Sequence, residues 1–539
     1  MAGTATITHP FPEGASLLDK QMRGRRSRLG AVLFLLASVA GVAYIAIEIT
    51  RDLDSVPSHG FWPLFVMGSA LVIALGFELV NGFHDTANAV ATVIYTHSMT
   101  PGVAVVWSGL CNLAGVLVSS GTVAFAVVML LPVELILKVS SGGGYAMVFA
   151  LLIAAILWNL GTWWFGLPAS SSHTMVGSII GVGLANQLLN WRSGASGVDW
   201  TQALKVLEVL LVSPVIGFVF AGLLVWVSKR LVHVPALYEA PKNNEPPPWP
   251  IRMLLVLTCT GVSFCHGSND GQKGMGLIVL ILIGTVPTAY ALNHALGPTE
   301  VQQFIVASQR AGSVLERHMA PGDVLNGSAK DEVLRYLRTH RMEAGTVPAV
   351  RALVNDAGTK VAAYKSFQAV PTEDQTRVRN DMYVAGEALQ VMMKSHEPAF
   401  TAQESATLKK YDGFADKATK FIPDWVKVAV ALALGLGTMI GWKRVVVTIG
   451  ERIGKEHLTY AQGASAQLVA MGTIFAADWW GLPVSTTHIL SSGVAGTMAA
   501  NGSGLHLGTV RNIAAGWVFT LPAAALLSGL LYCLFRLFA

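Results

Sequence analysis

Trp164-Phe-Gly-Leu-Pro-Ala-Ser-Ser-Ser-His173 returns later in the chain as Trp479-Trp-Gly-Leu-Pro-Val-Ser-Thr-Thr-His488. An earlier pair of segments is related in the same way: Asn81-Gly-Phe-His-Asp-Thr-Ala-Asn-Ala89 and His266-Gly-Ser-Asn-Asp-Gly-Gln-Lys-Gly274. Both pairs occur in the same order, and their shared polar residues argue against chance similarity between apolar segments. Related segments in a repeated order indicate a duplicated structural unit. The sequence therefore predicts two copies of one unit.

Composition and hydropathy place this unit in a membrane. The chain has 539 residues, is 53% hydrophobic and 13% charged, and has a mean hydropathy of +0.52. Soluble domains carry about 25% charged residues, and an apolar helix needs about 20 residues to cross a bilayer. Runs near that length argue against a large soluble protein with buried core helices. The predicted spans are 29–49, 61–80, 103–131, 145–165, 204–227, 253–283, 426–440 and 513–535.

Two features exclude other classes of protein. The four cysteines lie in apolar segments and form no CxxC pair, so neither a disulfide framework nor a zinc site is expected. A basic stretch before the first apolar run resembles the start of a signal peptide, but the run 29–49 is too long for a signal sequence. We therefore expect it to be a true membrane span.

Lysine and arginine near the span ends predict the orientation of the two units. They cluster before residue 29, in the connector 229–252 and in the loop 443–455, and the positive-inside rule assigns such segments to the cytoplasm. The first unit then begins outside and ends inside, whereas the second begins inside and ends outside. The predicted fold class is an all-α polytopic membrane protein with two inverted-topology helical repeats, broken helices and paired hairpins.

The predicted domain division adds an extra N-terminal span and a polar insert to the repeats. Its parts are a basic cytoplasmic tail with the extra transmembrane helix (1–60), repeat 1 (61–230), a cytoplasmic linker (231–250), the first span of repeat 2 (251–292), an extramembrane helical insert (293–423) and the remainder of repeat 2 (424–539). Amphipathic patterns at 331–338 and 384–393 predict helices in the insert. Its sequence offers no recognisable metal or nucleophile constellation, so we expect no catalytic role for it.

Polar side chains, most of them ionisable, interrupt the apolar signature segments. They are Glu78, His84, Asp85 and Asn88 in the first unit, and Asn269, Asp270 and Lys273 in the second. An ionisable group at the bilayer centre costs roughly 2.5–3.5 kcal/mol on insertion scales, so it lies on a pathway or beside a partner. Neighbouring glycines would let the helices unwind and expose carbonyls, which suit a hard cation or a proton together with Asp and Asn oxygens. The alternative is a structural ion pair of Lys273 with Asp85 or Asp270.

Hydroxyl side chains follow each Gly-Leu-Pro break. Proline favours the first helical position, so the hydroxyls would lie in a first helical turn, where backbone N–H donors are unsatisfied and the dipole end is positive. Such a helix start binds phosphate. The alternative is that the hydroxyls only cap helix ends, but two copies entering from opposite faces favour a shared site near the midplane. The predicted anion ligands are Ser170, Ser171, Ser172, Ser485, Thr486 and Thr487.

At these motifs the chain resembles the inorganic phosphate transporter (PiT) family, close to its bacterial low-affinity branch. The segments 81–95, 264–276 and 483–488 carry the resemblance, which covers nearly the whole chain from residue 61. It implies a homodimer with paired helical hairpins, and symport of inorganic phosphate with a coupling cation, H⁺ in the bacterial branch. The substrate there is often a neutral metal–hydrogenphosphate complex.

The resemblance also implies roles for single residues. The six hydroxyls would hold the anion, and Asp85, Asn88 and Asp270 would be cation or coupling residues, with Asp85 and Asp270 the candidates for a metal carried with phosphate. In sodium-coupled relatives both signatures carry Asn where this chain has Asn88 and Lys273. We hypothesise that Lys273 fills one former cation site and leaves H⁺ as the coupling ion.

The expected protein is therefore a transporter in a bacterial inner (plasma) membrane, with no resident cofactor and no nucleic-acid partner. The alternatives are Na⁺ coupling, transport of another oxyanion such as sulfate, a sensor whose insert binds a ligand outside, and an intramembrane hydrolase that uses Ser170 or Ser172 with His173. Neighbours on one helix turn are not expected to face each other, and a nucleophile needs contact with its base, which argues against the hydrolase. His173 and His488 could relay protons or simply pack with hydrogen bonds.

Overall fold

The computed structural model describes residues 18, 28–54, 61–85, 87–131, 133–137, 142–191, 197–241, 245–325 and 327–538. Within these ranges the regular structure is helical, and the one β pairing is an isolated bridge between Gly454 and Leu505. The predicted all-α class is confirmed. Apart from Leu18 and the first turn of the helix that begins at Arg28, the predicted basic tail lies outside the described residues.

The described helices divide into those before the connector, those of the insert and those after it. Before the connector lie α1 (Arg28–Asp54), α2 (Phe61–Asp85), α3 (Ala87–Tyr95), α4 (Pro101–Val118), α5 (Thr122–Val128), α6 (Val133–Leu137), α7 (Gly142–Trp164), α8 (Ser171–Leu189) and α9 (Trp200–Leu231). The second half begins with α10 (Trp249–Thr285) and the short α11 (Pro287–Tyr290). The insert contains α12 (Pro298–Arg317), α13 (Ala329–Thr339), α14 (Thr346–Tyr364), α15 (Thr372–Ser395) and α16 (Ala402–Thr419). The chain ends with α17 (Asp424–Met439), α18 (Lys443–Val447), a π-helical turn (Thr448–Arg452), α19 (Tyr460–Trp479), α20 (Thr486–Asn501) and α21 (Leu507–Phe535).

Six helices of the described chain are long and apolar enough to cross a membrane, which confirms the predicted polytopic architecture. They are α2 continued by α3, and α4, α7, α9, α10 and α21. A seventh span results if α16 and α17, bent by 68° at their junction, are taken together. The predicted extra span 29–49 lies within α1, a helix of 27 residues.

The run 103–131 is not one helix, which corrects the expectation of a single span there. Helix α4 ends at Val118, and the chain turns through Ser119 and Gly121 before α5 begins. Gly121 has φ +87°, a left-handed conformation that glycine adopts without a steric penalty. Hydropathy alone missed this turn because apolar residues continue on both sides of it.

The expectation that the helix unwinds around Asp270 is also wrong. Helix α10 runs unbroken for 37 residues, about 55 Å at 1.5 Å per residue. A Cβ atom at Gly267 would lie 2.1 Å from the carbonyl oxygen of Asn112 on α4. The glycine therefore allows two helix backbones to touch, instead of loosening its own helix. In the first unit, α2 ends at Asp85 and α3 begins at Ala87.

Helices of one half pack on helices of the other half in matching pairs. Helix α8 lies against α21 and α9 against α20, and in the same way α2 lies against α17 and α4 against α10. Gly82 is the repeat counterpart of Gly267, and a Cβ on it would lie 2.3 Å from the Leu434 carbonyl oxygen on α17. Two copies of one unit related by a symmetry axis would produce this reciprocity. The opposite orientation of the halves in a membrane stays a prediction.

The apolar core continues from the membrane helices into the insert. Phe304, Leu389 and Tyr411 are buried there, and the ring centroids of Phe304 and Tyr411 lie 5.8 Å apart. The side chains of Ser328 and Thr401 cap the starts of α13 and α16. The helices predicted at 331–338 and 384–393 are confirmed as parts of α13 and α15.

Candidate functional site

Each Gly-Leu-Pro break leads into a helix that starts within the hydroxyl triplet. Gly166 and Gly481 have φ values of +65° and +66°, which let the chain reverse at the end of α7 and of α19. Ser170 Oγ then accepts the His173 amide at 3.2 Å, and Ser485 Oγ accepts the His488 amide at 3.1 Å. These serines are the N-caps, so the expectation that proline takes the first helical position is wrong. The alternative role of helix cap holds for one serine in each half.

One hydroxyl from each triplet donates to the same carboxylate. Ser171 Oγ donates to Asp85 Oδ2 at 2.8 Å, and Thr487 Oγ1 donates to Asp85 Oδ1 at 2.6 Å. Asp85 is 2% exposed and comes from the end of α2. The start of α8, the start of α20 and the first signature acid therefore meet at one buried point.

The second signature acid joins this point through a lysine. Lys273 Nζ donates to Asp270 Oδ1 at 2.7 Å and to Ser172 Oγ at 2.5 Å. Ser172 Oγ in turn donates to the Val484 carbonyl oxygen, just before α20, at 2.6 Å. The structural ion pair weighed in the sequence analysis is thus present between Lys273 and Asp270, three residues apart on α10. The same ammonium group also reaches an anion-site hydroxyl, so the pair is part of the site.

A histidine that the sequence analysis overlooked completes the acidic cluster. One ligand atom each from Asp85, His266 and Asp270 lies within 4.8 Å of the others, and all three residues are buried. His266 Nδ1 bonds Asn112 Oδ1 at 2.9 Å, and its Nε2 lies 3.6 Å from Asp270 Oδ2. The signal was available, because residues four apart on a helix share a face. This donor set fits a small cation better than two carboxylates alone.

The other predicted coupling residues surround this cluster. His84 bonds Asp85 and Thr162, each at 3.1 Å. Asn269 Nδ2 donates to the Leu482 carbonyl oxygen at 3.1 Å, which holds the segment before α20. Glu78 is fully buried on α2 and accepts from Asn81 Nδ2 at 3.3 Å. The side chain of Asn88 lies outside the described part of the chain.

Thr486 presents an uncommitted hydroxyl beside the site. It is buried, and its Oγ1 has no hydrogen-bond partner among the described residues. Oxygen atoms in such a position ordinarily find a partner. The start of α20 therefore presents, at the positive end of its dipole, a buried hydroxyl that can serve a bound anion.

The two repeat histidines face each other behind the hydroxyls. The ring centroids of His173 and His488 lie 4.3 Å apart, and His488 stacks on Trp517 at 4.1 Å. His173 Nδ1 also lies 3.0 Å from Ser170 Oγ, which corrects the expectation that these neighbours do not face each other. The Ser170 oxygen is used as a cap, however, and no described carboxylate orients His173. The arrangement lacks the third group of a hydrolase triad.

A contact between equivalent positions differs in kind between the two halves. In the first half, Phe83 packs edge-on against Trp163 with ring centroids 5.2 Å apart. At the matching positions of the second half, Ser268 Oγ donates to Asp478 Oδ2 at 2.6 Å, and Gln272 donates to Asp478 Oδ1 at 2.7 Å. The structure shows that Asp478 ties the end of α19 to the face of α10 next to Asp270.

The charges of the cluster explain what it can bind. Asp85 and Asp270 bring two carboxylates, and Lys273 brings one ammonium group, all at 2% exposure or less. A second positive charge, as a proton or a metal ion, would balance the cluster, and charge in low dielectric is costly unless it is balanced. The hydroxyls and first-turn amides of α8 and α20 supply donors for an anion. The arrangement therefore suits the joint binding of an anion and a cation.

Comparison with known proteins agrees with this chemistry. Residues 81–528 match the model of the phosphate transporter family. The chain is 42% identical over 481 residues to the low-affinity inorganic phosphate transporter PitA of Escherichia coli strain K12, with 86% of this chain and 95% of that protein covered. It is 26% identical to a probable low-affinity inorganic phosphate transporter of Bacillus subtilis strain 168, over 86% of this chain and 95% of that protein.

One solved structure also matches. The sodium-dependent phosphate transporter superposes with a TM-score of 0.48 at 20% identity, over 88% of this chain and the whole of that chain. The relatives are named as transporters, which confirms the prediction that the chain is not an enzyme. With several apolar spans, the chain is a multi-pass membrane protein. The family match spans most of its length, and this chain belongs to the phosphate transporter family.

Proposed function

We propose that the protein imports inorganic phosphate by symport with H⁺, using the point where α8 and α20 begin beside Asp85. The observation that carries the proposal is the pair of hydrogen bonds from Ser171 and Thr487, one from each half, to that single carboxylate. A site shared by both halves changes shape when the halves move against each other. This is the requirement for alternating access in transporters built from repeats.

The anion step uses the helix starts. When phosphate enters, hydroxyls that now bond Asp85 and the Val484 carbonyl turn toward the phosphate oxygens. Thr486 adds its uncommitted hydroxyl, and the first-turn amides of both helices contribute donors and a positive dipole end. Ser170 and Ser485 stay as caps that hold these turns in place.

The cation step follows from charge. Phosphate brings negative charge to a buried cluster that already holds Asp85 and Asp270, where Lys273 pairs with Asp270. Repulsion at these distances is strong in a low-dielectric interior. Proton uptake by the cluster or by phosphate, or entry of phosphate as a neutral metal complex through Asp85, His266 and Asp270, removes that repulsion. Anion and cation therefore bind best together.

Lys273 favours H⁺ over Na⁺ as the coupling ion. Its ammonium group occupies Asp270 Oδ1, the oxygen that a second cation would need. The Lys273→Asn variant should gain sodium-dependent uptake, because it exchanges the tethered charge for an amide oxygen. The assay is uptake of labelled phosphate in sodium-free and sodium buffers. Unchanged proton-driven uptake that ignores sodium would refute this role of Lys273.

The membrane arrangement is part of the same proposal. The N-terminal tail, the connector and the loop 443–455 face the cytoplasm, and the insert faces the outside of a bacterial inner membrane. The functional unit is a homodimer, as the family resemblance implies. Reciprocal packing of α8 on α21 and of α9 on α20 supports a rocking motion of one half against the other.

Uptake into proteoliposomes tests the function directly. Labelled phosphate is supplied while pH, sodium and magnesium are varied separately. We expect uptake that grows with an inward proton gradient and persists without sodium. Excess sulfate, with pH varied, is the control for oxyanion selectivity, because phosphate changes its protonation near neutral pH and sulfate does not. Uptake that ignores the proton gradient would exclude H⁺ symport.

A further inference from the structure

A buried arginine lies where the insert meets the transmembrane helices. Arg379 belongs to α15 of the insert and is 4% exposed. It lines a pocket whose opposite wall is apolar and comes from Val128 of α5 and from Val279 and Ile283 of α10. From its sequence, no catalytic role is expected for the insert, and binding of a ligand by it is one of the alternatives; no role was predicted for Arg379.

The described part of the chain places no carboxylate in an ion pair with the Arg379 guanidinium. Its Nη1 donates to Asn380 Oδ1 at 3.0 Å, and its Cζ lies 5.0 Å from the ring centroid of Tyr383. The Nε–H group is buried and has no hydrogen-bond partner among the described residues. Arginine keeps its charge in proteins, and a buried charge is ordinarily paired. A contact with an aromatic face lowers the cost of burial but supplies no negative charge.

The second cation that lines the pocket, Lys420, has its own counter-ions and does not share them with Arg379. Lys420 Nζ is held by Glu387 Oε1 at 3.1 Å and Asp416 Oδ1 at 2.8 Å. Both carboxylates are therefore engaged, and the described residues place no carboxylate in an ion pair with Arg379. Since Lys420 is already neutralised by these carboxylates, Arg379 is the cation of the pocket that is left to bind an entering anion.

We propose that this pocket binds a phosphate-type oxyanion through Arg379. The enclosed space is about 20 Å³, room for one water-sized atom, so one anionic oxygen enters and the rest of the anion sits at the mouth. A planar guanidinium suits such an oxygen. Free phosphate and the phosphate group of an anionic lipid share this chemistry.

The position of the pocket relates it to transport. Val279 follows Asp270 by nine residues on the unbroken helix α10, about 14 Å along its axis. An oxyanion at Arg379 would lie on the insert side of the transport site and along the helix that carries Asp270 and Lys273. The choice of phosphate as the probe rests on the proposed function, whereas the need for an anion rests on the charge of Arg379 alone.

The test uses the full chain in nanodiscs of pure phosphatidylcholine. Equilibrium dialysis with labelled inorganic phosphate compares wild type with Arg379→Gln, and with Arg377→Gln as the matched control. Arg377 lies on the same helix, is 64% exposed and is paired with Asp356. We expect Arg379→Gln to bind one phosphate fewer per chain, and Arg377→Gln to bind as wild type does. If Arg379→Gln loses this one phosphate but still takes up labelled phosphate in proteoliposomes, the site at Arg379 is distinct from the transport site.

A second arm separates the two sources of phosphate. If dialysis finds no difference, discs containing phosphatidylglycerol should raise the thermal unfolding midpoint of wild type and Arg377→Gln but not of Arg379→Gln; this result assigns the site to lipid. To tell a loss of binding from poor folding, the thermal unfolding midpoints of wild type and Arg379→Gln are also compared without phosphate or anionic lipid. An unpaired buried charge predicts that Arg379→Gln is then at least as stable as wild type. Loss of folding in Arg379→Gln under those conditions, or identity with wild type in both arms, would overturn the proposal.

Discussion

At the scale of the residue, the site depends on one carboxylate shared between the halves. Asp85 accepts hydroxyl bonds from Ser171 and Thr487, which are far apart in sequence and belong to different repeats. Hydrogen bonds to a charged group are worth more than neutral ones, about 1.5–3 kcal/mol. Removal of one of these hydroxyls should therefore affect transport more than removal of a buried hydroxyl elsewhere.

Thr487→Val tests this expectation, since it removes the hydroxyl and keeps the side-chain shape. Phosphate uptake at subsaturating concentration should fall roughly tenfold, because about 1.4 kcal/mol corresponds to a factor of ten. Thr497→Val is the matched control: Thr497 is buried on the same helix and donates only to the Val494 carbonyl oxygen. Equal losses in both variants would mean that the Thr487 hydroxyl has only a structural role.

At the scale of the element, glycines set how closely the signature helices cross their neighbours. The crossing of α10 on α4 leaves no room for a side chain at Gly267, whose Cβ would overlap the Asn112 carbonyl oxygen. The same residue, Asn112, holds His266 of the cation cluster. A change in this crossing therefore disturbs both the packing and the site.

Gly267→Ala should destabilise the protein by about 1–3 kcal/mol, the usual cost of overpacking. Gly161→Ala is the control, because a Cβ on Gly161 in α7 would meet nothing within 4 Å. That control should gain about 0.5–1 kcal/mol from helix propensity. Thermal unfolding in detergent measures both. A Gly267→Ala protein as stable as the Gly161→Ala control would contradict the close crossing.

The insert carries its own dependence on pH. Burial, with a contribution from nearby Asp356, raises the pKa of Asp381 on α15 to about 6. The folded state therefore holds a proton that the unfolded state has released, so stability falls as pH rises from about 4 to about 6 and is level above that. Asp381→Asn should stabilise the chain by about 1–2 kcal/mol at pH 7, after allowance for solvent screening, and have little effect at pH 4.

Thermal unfolding at the two pH values checks this prediction. Glu373→Gln, a change at an exposed carboxylate of the same helix, is the control and should behave as wild type at both. An Asp381→Asn protein that loses stability at pH 7 would show that the ionised carboxylate, through its contact with Arg377, is the stabilising form.

Sequence patterns predicted the parts of the site better than their connections. The hydroxyl triplets, the signature acids and the insert helices follow from spacing and hydropathy, because those signals are local. The bond between Thr487 and Asp85 joins residues 402 positions apart, and nothing local encodes it. For helix α10 a local signal led to a wrong prediction. Its glycines predicted an unwound segment, but they allow close packing against α4 and the helix stays unbroken.

At the scale of the whole molecule, the two halves complete each other. Each hairpin helix, α8 or α20, packs on the last helix of the opposite half, and the site lies where both begin. This construction follows from duplication, since a site on the axis between repeats needs both copies. It also makes the orientation of the halves in the membrane central to transport.

Labelling of single cysteines by a membrane-impermeant maleimide tests that orientation. In a chain with its four native cysteines replaced, Ala363→Cys in the insert should react on intact cells. His233→Cys in the connector should react only after the membrane is opened. Both positions are exposed in the folded chain. Labelling of both from the same side would rule out the proposed topology.

The most direct measurement is a density map of the protein with bound arsenate, a phosphate analogue whose arsenic can be located by anomalous scattering. We expect one anomalous peak within hydrogen-bonding distance of hydroxyls at the starts of both α8 and α20, beside Asp85. A peak that contacts only one half, or a saturated crystal with no peak between the two helix starts, would contradict it.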